Sequence, residues 1–206
     1  MAAMEIIEFN TGKVEAKERL DYWSSNVLRR MSISGIGAKS GFFGRLLRAQ
    51  GHLGEFWDHT SDAIRVERSS QRCTNDGGDE IYVGLLVDGP SRINQNGNDH
   101  TLAAGNLYVT DFARPVRAEW SPHREIAIVI PRERAIAVAG RRAMMLGGTR
   151  LDQHGLAELL ASHMTLTAKR MRSLSLSERE AAIDTAVNLA CALLRTAADH
   201  AGELLP

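Results

Sequence analysis

Six aromatic or polar side chains fall on segments of this 206-residue chain that alternate in the manner of β-strands. Tryptophan and tyrosine each offer a flat apolar face with one polar atom, and the histidine ring and glutamine amide both donate and accept hydrogen bonds. Such groups suit a small-molecule pocket, in which apolar walls carry a few orienting polar atoms. Each could equally belong to an ordinary core or surface. The predicted ligand-binding residues are Trp57, His59, Tyr82, Gln95, Tyr108 and Trp120.

Catalytic and metal-binding motifs are missing from the chain. The seven histidines are scattered, and the predicted strands carry no closely spaced histidine pair followed by a glutamate. No Cys-x-x-Cys, His-Glu-x-x-His or Gly-x-Ser-x-Gly sequence occurs either. We therefore expect no bound transition metal, no cofactor and no enzymatic activity.

The elements that must position the six residues are predicted β-strands between Phe42 and Pro131. Asn96-Gly97 is the strongest hairpin signal, because both residues accept positive φ. Regularly spaced short strands favour a jelly roll or barrel, which removes exposed edges and can hold one small ligand. Strands are expected at 42–49, 53–59, 63–69, 80–87, 91–95, 106–112, 116–120 and 125–130.

Helices are predicted on both sides of this barrel. The first follows Thr11, carries an apolar stripe to Met31 and leads into a glycine-rich loop at 32–41. The clearest is the last, because Ser177-Glu178-Arg179-Glu180 matches a capping box. The later helices are expected at 131–145, 153–172 and 177–198. The predicted parts are thus a helix and loop at 1–41, a barrel at 42–131 and a helical segment at 132–206.

The helix at 177–198 carries a narrow apolar stripe with spacings of four, three and four residues. Such a stripe packs either on the chain's own core or on a partner helix. Leu189 and Leu193 flank the stripe and could serve the barrel, which would leave the stripe for a second chain. The predicted dimer-interface residues are Ile183, Val187, Ala190 and Leu194.

Composition indicates a cytoplasmic protein that does not bind DNA by itself. The chain has 25 Lys and Arg against 25 Asp and Glu, whereas DNA readers usually show a basic excess. Cys73 and Cys191 form no disulfide framework. No apolar run approaches a membrane span, and the acidic amino terminus is unlike a secretory signal, so no membrane partner is expected.

Several segments resemble, in order, the sensor half of AraC-type bacterial transcription regulators, whose sensor domain is cupin-like. The most informative is the strand Gly105–Phe112 followed by the turn Asp111-Phe112-Ala113-Arg114-Pro115. The family's usual Gly-Asp is Gly105-Asn106 here, which keeps a turn-forming side chain. The other matching segments are Glu18–Trp23, Asp79–Gly89, Gln95–Gly97 and Ile128–Arg132.

The resemblance implies a cupin-like sensor and dimerisation domain that binds a small-molecule effector. It also implies a homodimer paired through helices placed like the last one here. DNA would be contacted only through a C-terminal helix-turn-helix half, for which this chain has no counterpart. Two alternatives stay open. One is a metal-independent cupin-type enzyme using an acid–base pair such as His59 with Glu80, and the other is an oligomerisation module with a filled barrel.

Overall fold

Two antiparallel sheets face each other across the interior of a cupin-like barrel in the computed structural model, which describes residues 6–36 and 41–203. The six-stranded sheet has the order β1-β3-β4-β11-β6-β9, and the five-stranded sheet has the order β2-β5-β10-β7-β8. The strands are β1 (Ile7–Asn10), β2 (Ser32–Ile36), β3 (Gly44–Gln50), β4 (Glu55–Ser61), β5 (Ile64–Arg68), β6 (Ile81–Asp88), β7 (Ser91–Gln95), β8 (Asn98–Leu102), β9 (Leu107–Asp111), β10 (Val116–Trp120) and β11 (His123–Ile130).

Helices lie between β1 and β2, between β5 and β6, and after β11, where they cover the larger sheet. They are α1 (Arg19–Asn26), α2 (Ser70–Asn75), α3 (Arg132–Ala139), α4 (Leu156–Arg170) and α5 (Leu176–Glu203), with 3-10 turns at Thr11–Lys13, Ala16–Glu18 and Arg141–Leu146. The predicted fold class, a cupin-like barrel with a leading helix and a C-terminal helical segment, is confirmed.

The larger sheet separates two hydrophobic cores, and its central strands are buried on both faces. On β6, Ile81, Val83 and Leu85 pack with the C-terminal helices. The alternate residues Tyr82 and Leu86 belong to the core between the two sheets. This division follows from the period of two along a strand. It explains why β6 reads as a continuous apolar run rather than an alternating one.

The predicted hairpin at Asn96-Gly97 joins β7 to β8. Both residues have positive φ, 55° and 82° respectively, as a tight two-residue hairpin turn requires. Three strands were not predicted. Strands β1 and β2 lie in segments expected to be helix and loop, and β8 is a polar edge strand. Residues 37–40 of the predicted loop lie outside the part of the chain that the structure describes.

The capping residue of helix α5 lies two positions before the one that the sequence predicts. The backbone amide of Ser175 donates to Oε2 of Glu178 at 2.8 Å, and the Glu178 amide donates back to the Ser175 hydroxyl at 3.4 Å. The capping box is therefore Ser175-x-x-Glu178, and the box predicted at Ser177 is wrong. Leu176 lies inside the helix rather than before it.

The four residues predicted as a dimer seam on α5 are buried in the chain's own core. Each is 0% exposed and belongs to the cluster formed with the outer face of the larger sheet. The seam prediction needs correction, because the stripe already has a partner within the same chain. The residues concerned are Ile183, Val187, Ala190 and Leu194.

Close approach of the β3–β4 hairpin helps to hold α5 in this position. A Cβ on Gly51 would lie 2.7 Å from Ile183, and one on Gly54 would lie 2.9 Å from Val187. The Leu53 amide donates to Oδ1 of Asp184 at 2.9 Å. By length and hydropathy alone α5 could cross a membrane (mean hydropathy 1.2), but half of its most apolar stretch is buried inside the protein.

Candidate ligand-binding site

A cavity of about 420 Å³ lies between the two sheets. The barrel is therefore hollow, which contradicts the filled-barrel alternative. Its walls come from both sheets and from the segment that follows α1. Its lining combines apolar and aromatic side chains with charged groups, among them Arg30, Glu80 and Glu125. Five of the six predicted ligand-binding residues line it: Trp57, His59, Tyr82, Tyr108 and Trp120.

The sixth, Gln95, is not among the residues that line the cavity. Its side-chain nitrogen donates to the carbonyl of Asp111 at 2.8 Å, and its side-chain oxygen accepts from the amide of Asp111 at 2.8 Å. This buried amide thus completes the backbone hydrogen bonding at the end of β9, where the sheet ladder stops. The ligand-binding role predicted for Gln95 needs correction, because both of its polar atoms are already used.

A buried carboxylate, Glu125, is the centre of the polar cluster in the cavity wall. Its Oε1 accepts from the hydroxyl of Tyr82 at 2.7 Å and lies 3.1 Å from Nδ1 of His59. Its Oε2 accepts from the hydroxyl of Tyr108 at 2.6 Å. The four residues stand on β4, β11, β6 and β9, which are consecutive in the larger sheet. A register shift between Arg124 and Glu125 marks this point of β11.

Electrostatics keep Glu125 ionised despite its complete burial. Burial opposes ionisation, but the hydrogen bond and charge of His59 and the hydroxyl of Tyr108 outweigh it and lower the pKa of the carboxyl to about 2. Burial, followed by the charge of Glu125, raises the pKa of Tyr82 and Tyr108 well above the ordinary value. Both hydroxyls therefore remain protonated donors to the carboxylate at neutral pH.

Two histidines and two tryptophans form an aromatic column beside this carboxylate. Trp23 stacks on His59 at 5.3 Å between ring centroids, and His59 meets His123 edge-on at 5.0 Å. Trp120 in turn stacks on His123 at 5.5 Å. Burial lowers the pKa of His123 to about 4, with the neighbouring His59 as the second cause. One ligand atom from each of His59, His123 and Glu125 lies within 4.8 Å of the others.

A glycine makes room for one of the two tyrosines. Gly84 on β6 is the register partner of Tyr108 on β9. A Cβ on Gly84 would lie 2.6 Å from ring atoms Cε1 and Cζ of Tyr108, closer than real Cβ contacts allow. The absence of a side chain at Gly84 therefore lets the Tyr108 ring cross β6 toward Glu125.

The segment after α1 is tied to the barrel by a buried arginine. Arg68 is 0% exposed and forms a two-point pair with Asp76, both distances being 2.6 Å. Its remaining N–H groups donate to the carbonyls of Arg30 at 2.9 Å, Phe112 at 2.7 Å and Gly78 at 3.0 Å. All five guanidinium donors are thus used.

Further ion pairs stand among the residues that line the cavity. Arg48 pairs with Glu55, whose other oxygen accepts from Nε1 of Trp57 at 2.8 Å. Arg30 pairs with Glu80. The acid–base pair proposed between His59 and Glu80 is therefore not formed. His59 contacts Glu125 instead, because these two residues are register partners on β4 and β11.

The sequence analysis missed Glu125 and His123. A signal was present, because His-x-Glu at 123–125 places both side chains on one face of a strand. Their proximity to His59 depends on the pairing of β4 with β11, and Glu125 follows His59 at a sequence separation of 66. The spacing of residues along the chain does not predict which strands pair.

The two facing sheets, the cavity between them and the covering helices define a cupin-like domain. The model of the AraC-binding-like domain matches residues 25–195, and the chain therefore belongs to this family. No curated protein sequence matches the chain.

One solved structure shares the fold over most of this chain. The AraC-like transcriptional activator CuxR is similar with a TM-score of 0.76 and 18% identity, covering 92% of this chain and 70% of that one. Weaker similarity, with a TM-score of 0.34 in both cases, extends to an HTH_3 family transcriptional regulator from Vibrio cholerae (13% identity, 43% of this chain and 51% of that one) and to KdgF from Halomonas sp. (14% identity, 45% and 80%).

Proposed function

We propose that this chain is the effector-binding sensor domain of an AraC-type transcription regulator in the cytoplasm. A small molecule binds in the barrel cavity and is not chemically changed there. DNA is contacted through the helix-turn-helix half of such a regulator. The observation that carries the proposal is the cavity itself, about 420 Å³ in volume, within the usual size range of small-molecule sites.

The cavity lining favours a ligand that combines a flat or apolar body with hydrogen-bonding groups. Trp57 and Trp120 supply faces for stacking, and Phe112 extends the apolar wall. The carboxylate of Glu125 already accepts from two tyrosine hydroxyls, so its position is fixed before any ligand arrives. A preorganised polar group lowers the ordering cost of binding.

Ala118 allows a direct test of the site. This residue is 3% exposed and lines the cavity, whereas the next residue on β10, Glu119, is exposed on the other face. A panel of metabolites is screened on the wild type by thermal shift and by tryptophan fluorescence. We expect Ala118→Leu to weaken binding of the hits at least tenfold, and the matched control Glu119→Leu to leave it unchanged. Equal affinities of the hits for wild type and Ala118→Leu would refute the cavity as the site.

We also propose a homodimer, through a surface other than the buried seam of α5. The outer face of α4 exposes Leu159 (58%) and Leu166 (62%), seven residues apart on the helix. Light scattering tests this surface. Leu159→Glu with Leu166→Glu should convert a dimer into a folded monomer, while Thr165→Glu on the same helix should not. A wild type that is monomeric at tens of micromolar would refute the dimer.

One observation favours a second candidate function. His59 and Glu125 form an acid–base pair in the cavity wall, which a metal-independent cupin-type enzyme would need. The same metabolite hits decide between the two functions. A sensor returns each bound hit unchanged after long incubation, whereas an enzyme yields a product that mass spectrometry detects and that Glu125→Gln abolishes.

A further inference from the structure

We propose that His59, His123 and Glu125 form a binding site for one divalent first-row transition-metal ion. This site goes beyond the effector-binding function, and neither depends on the other. It also differs from our expectation of no metal, which rested on the missing histidine pair. The three residues come from β4 and β11 instead.

The first observation is a set of three suitable donors in one buried place. His59, His123 and Glu125 are 6%, 4% and 2% exposed, and one ligand atom from each lies within 4.8 Å of the others. Imidazole nitrogen and carboxylate oxygen are the ligands that zinc and its neighbours take in proteins. Ligand atoms that share one zinc ion stand roughly 3.3 Å apart, so the three side chains must move slightly closer together when the ion binds.

The second observation is that both histidines hold a buried polar atom without a partner. Nε2 of His59 and Nε2 of His123 have no hydrogen-bond partner among the described residues. Buried ring nitrogens are ordinarily satisfied, so each such atom needs an explanation. A metal ion would accept the lone pair of Nε2 of His123 and remove that deficit, whereas His59 would bind the same ion through Nδ1, the ring nitrogen that faces Glu125 at 3.1 Å.

The third observation concerns the groups that hold the donors. Nδ1 of His123 lies 3.0 Å from the carbonyl of Ser121, which places the proton on Nδ1 and the lone pair on Nε2. The hydroxyls of Tyr82 and Tyr108 fix the carboxylate of Glu125. Metal-binding histidines and carboxylates characteristically have such hydrogen-bonded supports.

Charge balance points the same way. Glu125 is a buried carboxylate, and within residues 6–36 and 41–203 it forms no ion pair with a lysine or arginine. A divalent cation would take the place of the His59 proton that faces this carboxylate and would compensate the same charge. His59 and Glu125 also line the cavity, so a ligand there would reach the remaining coordination positions.

The test uses the full chain, purified without a tag, and the metal ions themselves. Calorimetric titration with Zn²⁺ should give one site per chain with a micromolar or tighter dissociation constant. Co²⁺ should give the visible absorption of a four- or five-coordinate site. His59→Phe and His123→Phe keep ring stacking and should each weaken Zn²⁺ binding at least 100-fold. The matched control is the double variant His154→Ala with His200→Ala. These two rings form another close histidine pair, with 5.6 Å between ring centroids, but lie outside the proposed site.

A measurement on the wild type guards against variants that fail to fold. Nitrogen NMR of the imidazole rings should show Zn²⁺ shifting one nitrogen each of His59 and His123, and none of His100. Absence of a stoichiometric site would overturn the proposal. So would a site that survives both phenylalanine substitutions, or one that is lost in the control.

Discussion

Replacing Arg68 by methionine should be among the most damaging single changes in the barrel. The guanidinium is completely buried and donates five hydrogen bonds, two of them to Asp76. Methionine fills a similar volume but donates none. Asp76 and the carbonyls of Arg30, Gly78 and Phe112 would each lose a donor.

The size of the loss in unfolding free energy follows from the unpaired Asp76 that the substitution leaves behind. Removing one partner of a buried ion pair costs about 3–5 kcal/mol, chiefly because the other charge stays buried. The Asp76 side chain is 29% exposed and regains some water, which moves the expectation toward the lower end. We expect Arg68→Met to lower the free energy of unfolding by about 3 kcal/mol. With a urea slope of about 2 kcal/mol/M, the midpoint should fall by about 1.5 M.

A double-mutant cycle, followed by circular dichroism in urea, checks the cause. Asp76→Asn alone loses the charge but keeps most of the shape. Arg68→Met with Asp76→Asn should be more stable than the sum of the two single losses predicts, by about 1–3 kcal/mol, since no unpaired charge remains. Additive losses, or a loss below about 1 kcal/mol for Arg68→Met, would refute the reasoning.

The other predictions concern single features of the fold. Hydrogen bonds from Arg68 lower the pKa of Asp76 below its ordinary value. The ionised Asp76 therefore stabilises the fold above about pH 4, and this contribution is lost as the pH falls further. In Asp76→Asn, the free energy of unfolding measured in urea should fall less between about pH 4 and pH 2 than in the wild type. Gly84→Ala should push the ring of Tyr108 away from Glu125 and cost about 1–3 kcal/mol, with altered near-ultraviolet dichroism, and an unchanged spectrum would contradict this. Ser175→Ala should cost about 1 kcal/mol in thermal unfolding and the control Ser177→Ala much less, and the reverse order would restore the capping box predicted from the sequence.

The barrel could be predicted because its strands carry local signals. Asn96-Gly97 adopts the positive φ values that its residue types favour, and β6 is apolar throughout. Strand β8 was not predicted because an edge strand needs apolar residues only on its inward face. Only Leu102 among its five residues is buried. Strand β2 contains Gly35, which weakens its pattern, and its pairing with β5 is formed far along the chain.

The site was predictable in part. Tyr82 and Tyr108 line the cavity because aromatic residues on strands with two buried faces must pack in one of the two cores. Trp57 lines it from β4. The apolar stripe containing Val187 was also visible. The element that covers this stripe could not be predicted, because amphipathic spacing specifies that a helix face is buried but not what it packs against. The contact of His59 with Glu125 depends on the register of distant strands, which no local pattern encodes.

Strand β11 is a wall shared by two compartments, and this arrangement has a thermodynamic consequence. Glu125, Ala127 and Val129 face the barrel core, while Ile126 and Ile128 lie in the core that contains α5. A ligand that shifts β11 by pressing on one face must also change how α5 packs on the other. Coupling of this kind is reciprocal. If a partner binds α5, it therefore changes the affinity of the cavity for its ligand by a certain factor. The ligand changes the affinity of α5 for that partner by the same factor. A substitution that weakens the packing of α5 should also change the affinity of the cavity.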